Sequence, residues 1–144
     1  MPIRAARTVW EGSLEQGSGR VALESSGLAS FDVSFPARAA EEANGVTSPE
    51  ELIAAAHSAC YAMQFSALAA EAGGVPTRLA VRAEVSLVPD PSGGFRLGEV
   101  VLAVSGEVEG LDEEAFAAVA RKAKDTCPVS KALAAVPIEL RLSA

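Results

Sequence analysis

The pattern of apolar residues along the chain predicts an α+β fold, with a largely antiparallel sheet and one long central helix. Short runs in which apolar and polar residues alternate lie on both sides of the longest apolar run and indicate strands. That longest run, residues 52–70, exceeds strand length and is rich in alanine, which favours a helix. Because the strands come in blocks, an antiparallel sheet is expected. The 144 residues, 49% of them hydrophobic, fit a single globular domain over residues 1–144.

The first part of the chain predicts three short strands and a hairpin turn. The strands are expected at residues 4–13, 20–26 and 30–35, with the turn at residues 15–19. Phe31, Val33 and Phe35 recur at a period of two and would share one face of the third strand. Residues 36–47 are expected to form a loop that carries Arg38, and loops of this length inside a domain are often functional.

The long helix has clear signals at both ends. Ser48 is a suitable N-cap, Pro49 suits the first helical position, and Glu51 completes a capping box with Ser48. The helix is expected to end at Glu71, because two glycines follow shortly after it. Its apolar run is mostly alanine and is interrupted by polar residues, which predicts a core helix of the fold or of an oligomer rather than a membrane span.

The rest of the chain predicts a hairpin, two helices and a last strand. Two alternating runs at residues 79–88 and 95–108 flank a turn at residues 89–94. Asp112 is a suitable N-cap for an amphipathic helix, and a short helical piece begins at Pro128. Apolar residues alternate again over residues 138–142 as a final strand.

The charge balance excludes some classes of partner. The net charge is −7, from 19 acidic and 12 basic residues, and no basic run offsets it. Nucleic acid and anionic membranes are therefore not expected as partners. No apolar segment follows residues 1–7, so no secretory signal is expected and the protein is predicted to be cytoplasmic. In that reducing compartment, two cysteines indicate catalysis or metal binding rather than a permanent disulfide.

Each cysteine allows a functional and a structural interpretation. Cys60 follows His57 by three residues, so both side chains lie on one helix face, where the histidine could activate a thiolate or act as a structural donor. Cys60 could equally be a buried small hydrophobe. Cys127 precedes Pro128 and is expected to cap the short helix, whose positive end would lower the pKa of its thiol. The alternative is an unreactive cap.

Three interpretations of the cysteine pair remain open on the residues alone. A structural disulfide fits poorly with a reducing compartment, and a zinc site would have only Cys60, Cys127 and His57 at no known spacing. In a redox pair, one thiolate attacks an oxidant and the other thiol condenses with the sulfenic acid. An arginine would be the suitable cation, and Arg20 and Arg38 are the candidates.

Two segments carry a family resemblance. The run from Pro49 to Cys60, PEELIAAAHSAC, and the run from Cys127 to Leu133, CPVSKAL, resemble the two cysteine segments of the OsmC/Ohr family, and the order of elements agrees along the chain. The residues around both cysteines are similar to the OsmC branch. The resemblance implies an intertwined homodimer with active sites at the subunit interface. It also implies a thiol-dependent peroxidase for organic hydroperoxides, and more weakly hydrogen peroxide, in oxidative-stress defence.

The resemblance also assigns roles to residues. Cys60 would be the peroxidatic thiol, Cys127 the resolving thiol, and Glu50 the group that orients an arginine, for which Arg38 is favoured over Arg20. No cofactor or metal is implied, and the reductant would be an external thiol. Glu50 and Cys60 are ten residues apart, about 15 Å along a straight helix. If both serve one site, either the helix breaks or a second subunit brings them together, and the second alternative points to a dimer.

Two further expectations follow for the ligand. An apolar pocket beside Met63 and Phe65 of the long helix would favour bulky hydroperoxides. The alternative function is a non-enzymatic OsmC-like dimer that binds an apolar ligand between its subunits, with idle thiols.

Overall fold

A computed structural model describes residues 1–143 and divides the chain into two compact units, Met1–Leu52 and the residues from Ile53 onward. The elements, in chain order, are β1 (Arg7–Glu11), β2 (Ser18–Ala22), β3 (Ser30–Val33), α1 (Phe35–Ala39), α2 (Pro49–Glu71), β4 (Val75–Pro89), β5 (Phe95–Glu109), α3 (Glu113–Thr126), α4 (Pro128–Ala132) and β6 (Ile138–Ser143). The predicted α+β class with a long helix is confirmed.

The first unit contains a three-stranded antiparallel sheet in the order β1-β2-β3. The three predicted strands are present. β1 and β3 are shorter than their alternating runs, whereas β2 lies nearer the N-terminus than predicted and begins within the residues predicted as the turn. Trp10 pairs with Gly19 across β1 and β2, and a Cβ on Gly19 would lie 3.0 Å from the Trp10 ring and 3.1 Å from the Val33 side chain. A glycine at position 19 therefore leaves room for the side chains of Trp10 and Val33 to pack directly against the β2 backbone.

The predicted loop at residues 36–47 begins instead as the short helix α1, so that prediction is wrong in its first part. Ser34 caps the helix, since its Oγ accepts the Ala37 N–H at 3.3 Å, and Pro36 occupies the first turn, where its fixed φ is favourable. Phe35 consequently belongs to α1 and does not extend the β3 face of Phe31 and Val33.

The long helix α2 has the predicted bounds, Pro49–Glu71. At its start the Glu51 N–H donates to Ser48 Oγ at 3.2 Å, but the Glu51 carboxylate accepts from the Thr47 hydroxyl, a different reciprocal bond from the predicted capping box. At its end Gly73 adopts a φ of +84°, and the Gly74 N–H reaches back to the carbonyl of Ala69. This is the 6→1 hydrogen bond of a glycine-terminated helix.

The second unit contains the sheet β4-β5-β6. Strands β4 and β5 form the predicted antiparallel hairpin, while β6 runs parallel to β5, with Val100 opposite Ile138 and Leu102 opposite Leu140. The sheets are thus largely antiparallel, with one parallel pair. A parallel neighbour requires a crossover connection, and α3 and α4 supply it.

The core of the second unit lies between α2, β5 and α3. Its buried members are Tyr61, Phe65, Leu68 and Ala69 from α2, Val100, Leu102 and Val104 from β5, Val119, Ala120 and Ala123 from α3, and Cys127. Among residues 1–143, α2 is the one helix long and apolar enough to cross a membrane by length and composition. Its burial of aromatic side chains against β5 and α3 is that of the core helix the sequence predicts.

Candidate active site

The two cysteines, distant in sequence, meet in the second unit. Helix α2 carries Cys60, the corner between α3 and α4 carries Cys127, and their Sγ atoms are 3.3 Å apart. Both are free thiols; Cys127 is fully buried, whereas Cys60 is partly exposed. A disulfide bond has an S–S length of about 2.05 Å, so a small movement would join them. The arrangement gives one accessible thiol that an oxidant can reach and a buried thiol in contact behind it.

Cys127 is the N-cap of α4, as the sequence predicts. Within the described residues, the Cys127 side chain makes no capping hydrogen bond to α4. The backbone N–H of Val129, in the first turn of α4, acts on the Cys60 thiol as a donor and lowers its pKa. The start of α4 therefore acts on the Cys60 thiol, and its predicted effect on Cys127 stays a prediction.

The groups around Cys60 disfavour the thiolate form of its side chain. Burial raises the pKa of the Cys60 thiol, the Val129 N–H lowers it, and the neighbouring Cys127 sulfur raises it, so the net direction is upward. One backbone donor is not enough to overcome the loss of hydration and the adjacent sulfur. A nearby cation is needed if Cys60 is to be a thiolate at neutral pH.

His57, one helical turn before Cys60, is completely buried. Its Nε2 lies 2.7 Å from Ser130 Oγ, while Nδ1 has no hydrogen-bond partner among residues 1–143. Burial lowers the pKa of His57, so the ring is neutral at neutral pH. The sequence points to His57 but not to its partner Ser130. The available signal was spacing, since Ser130 follows Cys127 by three residues as His57 precedes Cys60 by three.

Arg38 and Glu50 form a partly buried ion pair in the first unit. Arg38 Nη2 donates to Glu50 Oε1 at 2.7 Å, and Nε lies 3.1 and 3.2 Å from the two carboxylate oxygens. Glu50 is only 7% exposed. Arg20, the other candidate, binds Asp32 at 2.8 Å and Ser30 at 2.7 Å on the surface. The glutamate that the resemblance singles out is thus paired with Arg38.

An apolar cavity of about 350 Å³ lies in the first unit beside Arg38. Trp10, Leu14, Val33 and Phe35 contribute to its lining. Of the two residues predicted to border a pocket, Phe65 is completely buried in the core of the second unit, whereas Met63 is 74% exposed, and the pocket beside them stays a prediction. The cavity joins apolar walls to the guanidinium-bearing helix α1, an arrangement suited to a ligand with an apolar tail and a polar head.

Comparison with known proteins identifies the family. The family model described as OsmC-like protein matches residues 42–141. The chain is 40% identical over 126 residues to peroxiredoxin OsmC of Escherichia coli strain K12, covering 88% of this chain and 86% of the relative. The protein belongs to the OsmC family. This OsmC-family chain is also 36% identical over 104 residues to the organic hydroperoxide resistance protein OhrA of Bacillus subtilis strain 168, covering 71% of each.

The structural comparison agrees with the family assignment. A solved structure described as an organic hydroperoxide resistance protein OsmC from Legionella pneumophila superposes with a TM-score of 0.77 at 28% identity and covers all of both chains. The predicted family resemblance is therefore confirmed both by sequence and by fold.

Proposed function

We propose that this protein is a cysteine-based peroxidase that reduces organic hydroperoxides, with Cys60 as the peroxidatic thiol and Cys127 as the resolving thiol. The 3.3 Å contact between the two sulfurs is the observation that supports this most directly. The names of the relatives, a peroxiredoxin and an organic hydroperoxide resistance protein, support the same activity. Cys60 is the more accessible thiol and the one that receives a backbone donor, as a peroxidatic sulfur requires.

The reaction balances with these two thiols and an external reductant. The Cys60 thiolate attacks the distal hydroperoxide oxygen, the O–O bond breaks, and the alkoxide takes a proton to leave as the alcohol. The Cys60 sulfenic acid then condenses with the Cys127 thiol to form a disulfide and release water. Two reductant thiols are oxidised as they return the disulfide to two free thiols. The proposed location is the cytoplasm, where such reductants are maintained.

Arg38 is the proposed cation of the site and Glu50 its orienting partner. A guanidinium stays charged in a poorly hydrated site and can donate to a thiolate and to a hydroperoxide oxygen together. Because the surroundings of Cys60 raise the pKa of its thiol, this cation is what would bring the thiolate within reach of neutral pH. Arg38 is held by Glu50, ten residues or about 15 Å along α2 from Cys60.

That separation leads us to propose a site shared between two chains of a homodimer. Glu50 is fixed at the first turn of α2, and its guanidinium partner is fixed with it. In a dimer, Arg38 of one chain would serve Cys60 of the partner subunit, and the two symmetry-related sites would be equivalent.

The apolar cavity beside Arg38 supports bulky organic hydroperoxides as the substrate class. Burying a modest apolar tail contributes about 1–3 kcal/mol, which corresponds to roughly a ten- to hundredfold advantage in kcat/KM over hydrogen peroxide. Hydrogen peroxide carries the same O–O bond but has no tail to bury, so it should be the weaker substrate.

The cysteine variants test the proposal. Cys60→Ser should abolish consumption of cumene hydroperoxide, while Cys127→Ser should complete one turnover and stop as a sulfenic acid or a higher oxide. The readout is alcohol formed per chain, together with a thiol count before and after peroxide. Full multiple-turnover activity of Cys60→Ser would contradict the assignment. If the wild-type chain binds the hydroperoxide without losing thiols, the cavity belongs to a non-enzymatic binder of apolar ligands instead.

A further inference from the structure

Three hydrogen bonds join one side of α2 to the two helices that flank Cys127. The bonds are His57 Nε2 to Ser130 Oγ at 2.7 Å, Tyr61 Oη to the Ala120 carbonyl at 2.9 Å, and Gln64 Nε2 to Thr126 Oγ1 at 3.0 Å. Residues 57, 61 and 64 recur at helical spacing, so they lie along one side of α2. The three partner groups lie before and after Cys127, in α3 and α4.

The bond between His57 and Ser130 is the one that runs beside the sulfurs. His57 lies one turn before Cys60 on α2, and Ser130 lies one turn after Cys127 on α4. Both side chains are buried, at 0% and 5% exposure. A buried hydrogen bond of 2.7 Å is exchanged with water rarely, so it fixes the spacing between α2 and α4 at the place where the two thiols touch.

The unpartnered Nδ1 of His57 indicates which ring nitrogen carries the proton and so which group donates the bond. If Nδ1 carried the proton, a buried N–H would have no acceptor, whereas an unpaired ring nitrogen is tolerated at less cost. The ring therefore protonates Nε2, and Nε2–H donates to Ser130 Oγ. Activation of Ser130 as a nucleophile would need the opposite tautomer, so the pair is built to hold two helices together rather than to attack a substrate.

We propose that His57 and Ser130 are a positioning pair that keeps Cys127 in contact with Cys60. The disulfide then forms faster than a second hydroperoxide oxidises the Cys60 sulfenic acid. The proposal rests on the peroxidase function above and concerns only its second step. Neither side chain needs to touch the hydroperoxide. Their contribution is to set the distance between the two sulfurs, and the bulk and hydrogen bond of both members are required for that.

The two fates of the Cys60 sulfenic acid explain why spacing matters. In the first, the Cys127 thiol attacks the sulfenic sulfur, an S–S bond forms and water leaves. In the second, a second hydroperoxide oxidises the sulfenic acid to sulfinic acid and leaves as the alcohol. The first reaction is intramolecular and depends on alignment, and a displacement of about 1 Å can slow such a step about a hundredfold. The second depends only on peroxide concentration.

The test compares these fates in variants that change the pair. Wild type, His57→Leu and Ser130→Ala are cycled with cumene hydroperoxide and a dithiol reductant, and mass spectrometry measures the sulfinic acid at Cys60. The peroxide concentration that oxidises half of Cys60 should fall about ten- to hundredfold in both variants. Stopped-flow formation of the sulfenic acid should keep its wild-type rate. His57→Gln and Ser130→Thr, which retain a donor and a hydroxyl, should restore much of the resistance.

Tyr61→Phe is the matched control, because it removes one buried hydrogen bond of α2 to α3 with little change of shape. It should lower stability without a comparable change in overoxidation. Equal sensitivity of Tyr61→Phe and His57→Leu, or wild-type resistance in Ser130→Ala, would overturn the positioning role. The alcohol formed by wild type in the first turnover is measured beside these variants. Its absence would overturn the proposed function itself, whereas its presence with unchanged variants overturns only the inference.

Discussion

Glu50 carries a nearly buried carboxylate, and the Arg38 guanidinium is the partner that balances its charge. Its side chain is 9% exposed, while that of Arg38 is 34% exposed, and the pair is held by three short contacts. Removal of the guanidinium would leave a buried charge without compensation. Removal of both groups would leave neither charge, so the two single substitutions should not have additive effects.

Arg38→Ala should lower the free energy of unfolding by about 1–3 kcal/mol, between the values for exposed and fully buried pairs. The double substitution Arg38→Ala with Glu50→Ala should cost less than the sum of the single ones. Denaturant unfolding of the four proteins gives the coupling energy. Arg20→Ala is the control, since its pair with Asp32 is exposed and should contribute little. Strict additivity at Arg38 and Glu50 would show that the pair carries no coupling.

His57 gives the protein a specific pH dependence of stability. Burial lowers the pKa of the folded-state ring below the ordinary value of 6.5, so the unfolded chain binds the proton more readily. The stability that depends on a neutral His57 is therefore fully present above pH 6.5 and declines as pH falls from 6.5 toward the folded-state pKa. Denaturant unfolding across this window should show that decline in wild type and a flatter profile in His57→Gln. Parallel profiles would exclude His57 as the titrating group.

At the scale of elements, α1 is a short helix stabilised mainly by its own cap. It has five residues and no buried side chain, so the hydrogen bond from Ala37 N–H to Ser34 Oγ is a large part of what defines it. Ser34→Ala should lower the free energy of unfolding by about 0.5–2 kcal/mol. If Arg38 activates Cys60, the loosened helix should also raise the pKa of the Cys60 thiol, measured by thiolate absorbance. Ser34→Thr retains the hydroxyl and should behave as wild type.

The elements differ in how far local sequence determines them. Helix α2 could be predicted with its bounds, because Ser48 and Gly73 act on their immediate neighbours. Helix α1 could not, since five residues are too few to show a helical period. The parallel direction of β6 also escapes local patterns, because it is set by the crossover through α3 and α4.

In the candidate site, too, local sequence determines some features, and tertiary packing determines the others. The sequence predicts a helix start beside Cys127, but which sulfur receives the Val129 N–H depends on how α4 packs against α2. The contact between His57 and Ser130 is likewise a packing outcome between segments 73 residues apart in the chain. Residue types and spacings can nominate reactive groups, while their partners are fixed by tertiary structure.

At the scale of the whole molecule, one face of α2 is left exposed. Its members are Ala55, Ala56, Ala59, Met63, Ser66, Ala67 and Ala70. Met63 is 74% exposed, although it lies on the same helix as the buried core residue Phe65. Small side chains of this kind allow another helix to approach closely, and a second copy of the chain is the occupant that the proposed homodimer requires.

Mixing two inactive chains tests whether the active site is shared. Arg38→Ala retains both thiols and Cys60→Ser retains the arginine, so each homodimer lacks one required group at both of its sites. If Arg38 of one chain serves Cys60 of the partner subunit, a mixed dimer contains one complete site. Random reassociation should then restore about a quarter of wild-type peroxidase activity. Ala59→Trp should lower both the dimer population and this recovery, while Ala118→Trp on exposed α3 surface should not. A mixture that dimerises but stays inactive would place Arg38 and Cys60 of each site in one chain.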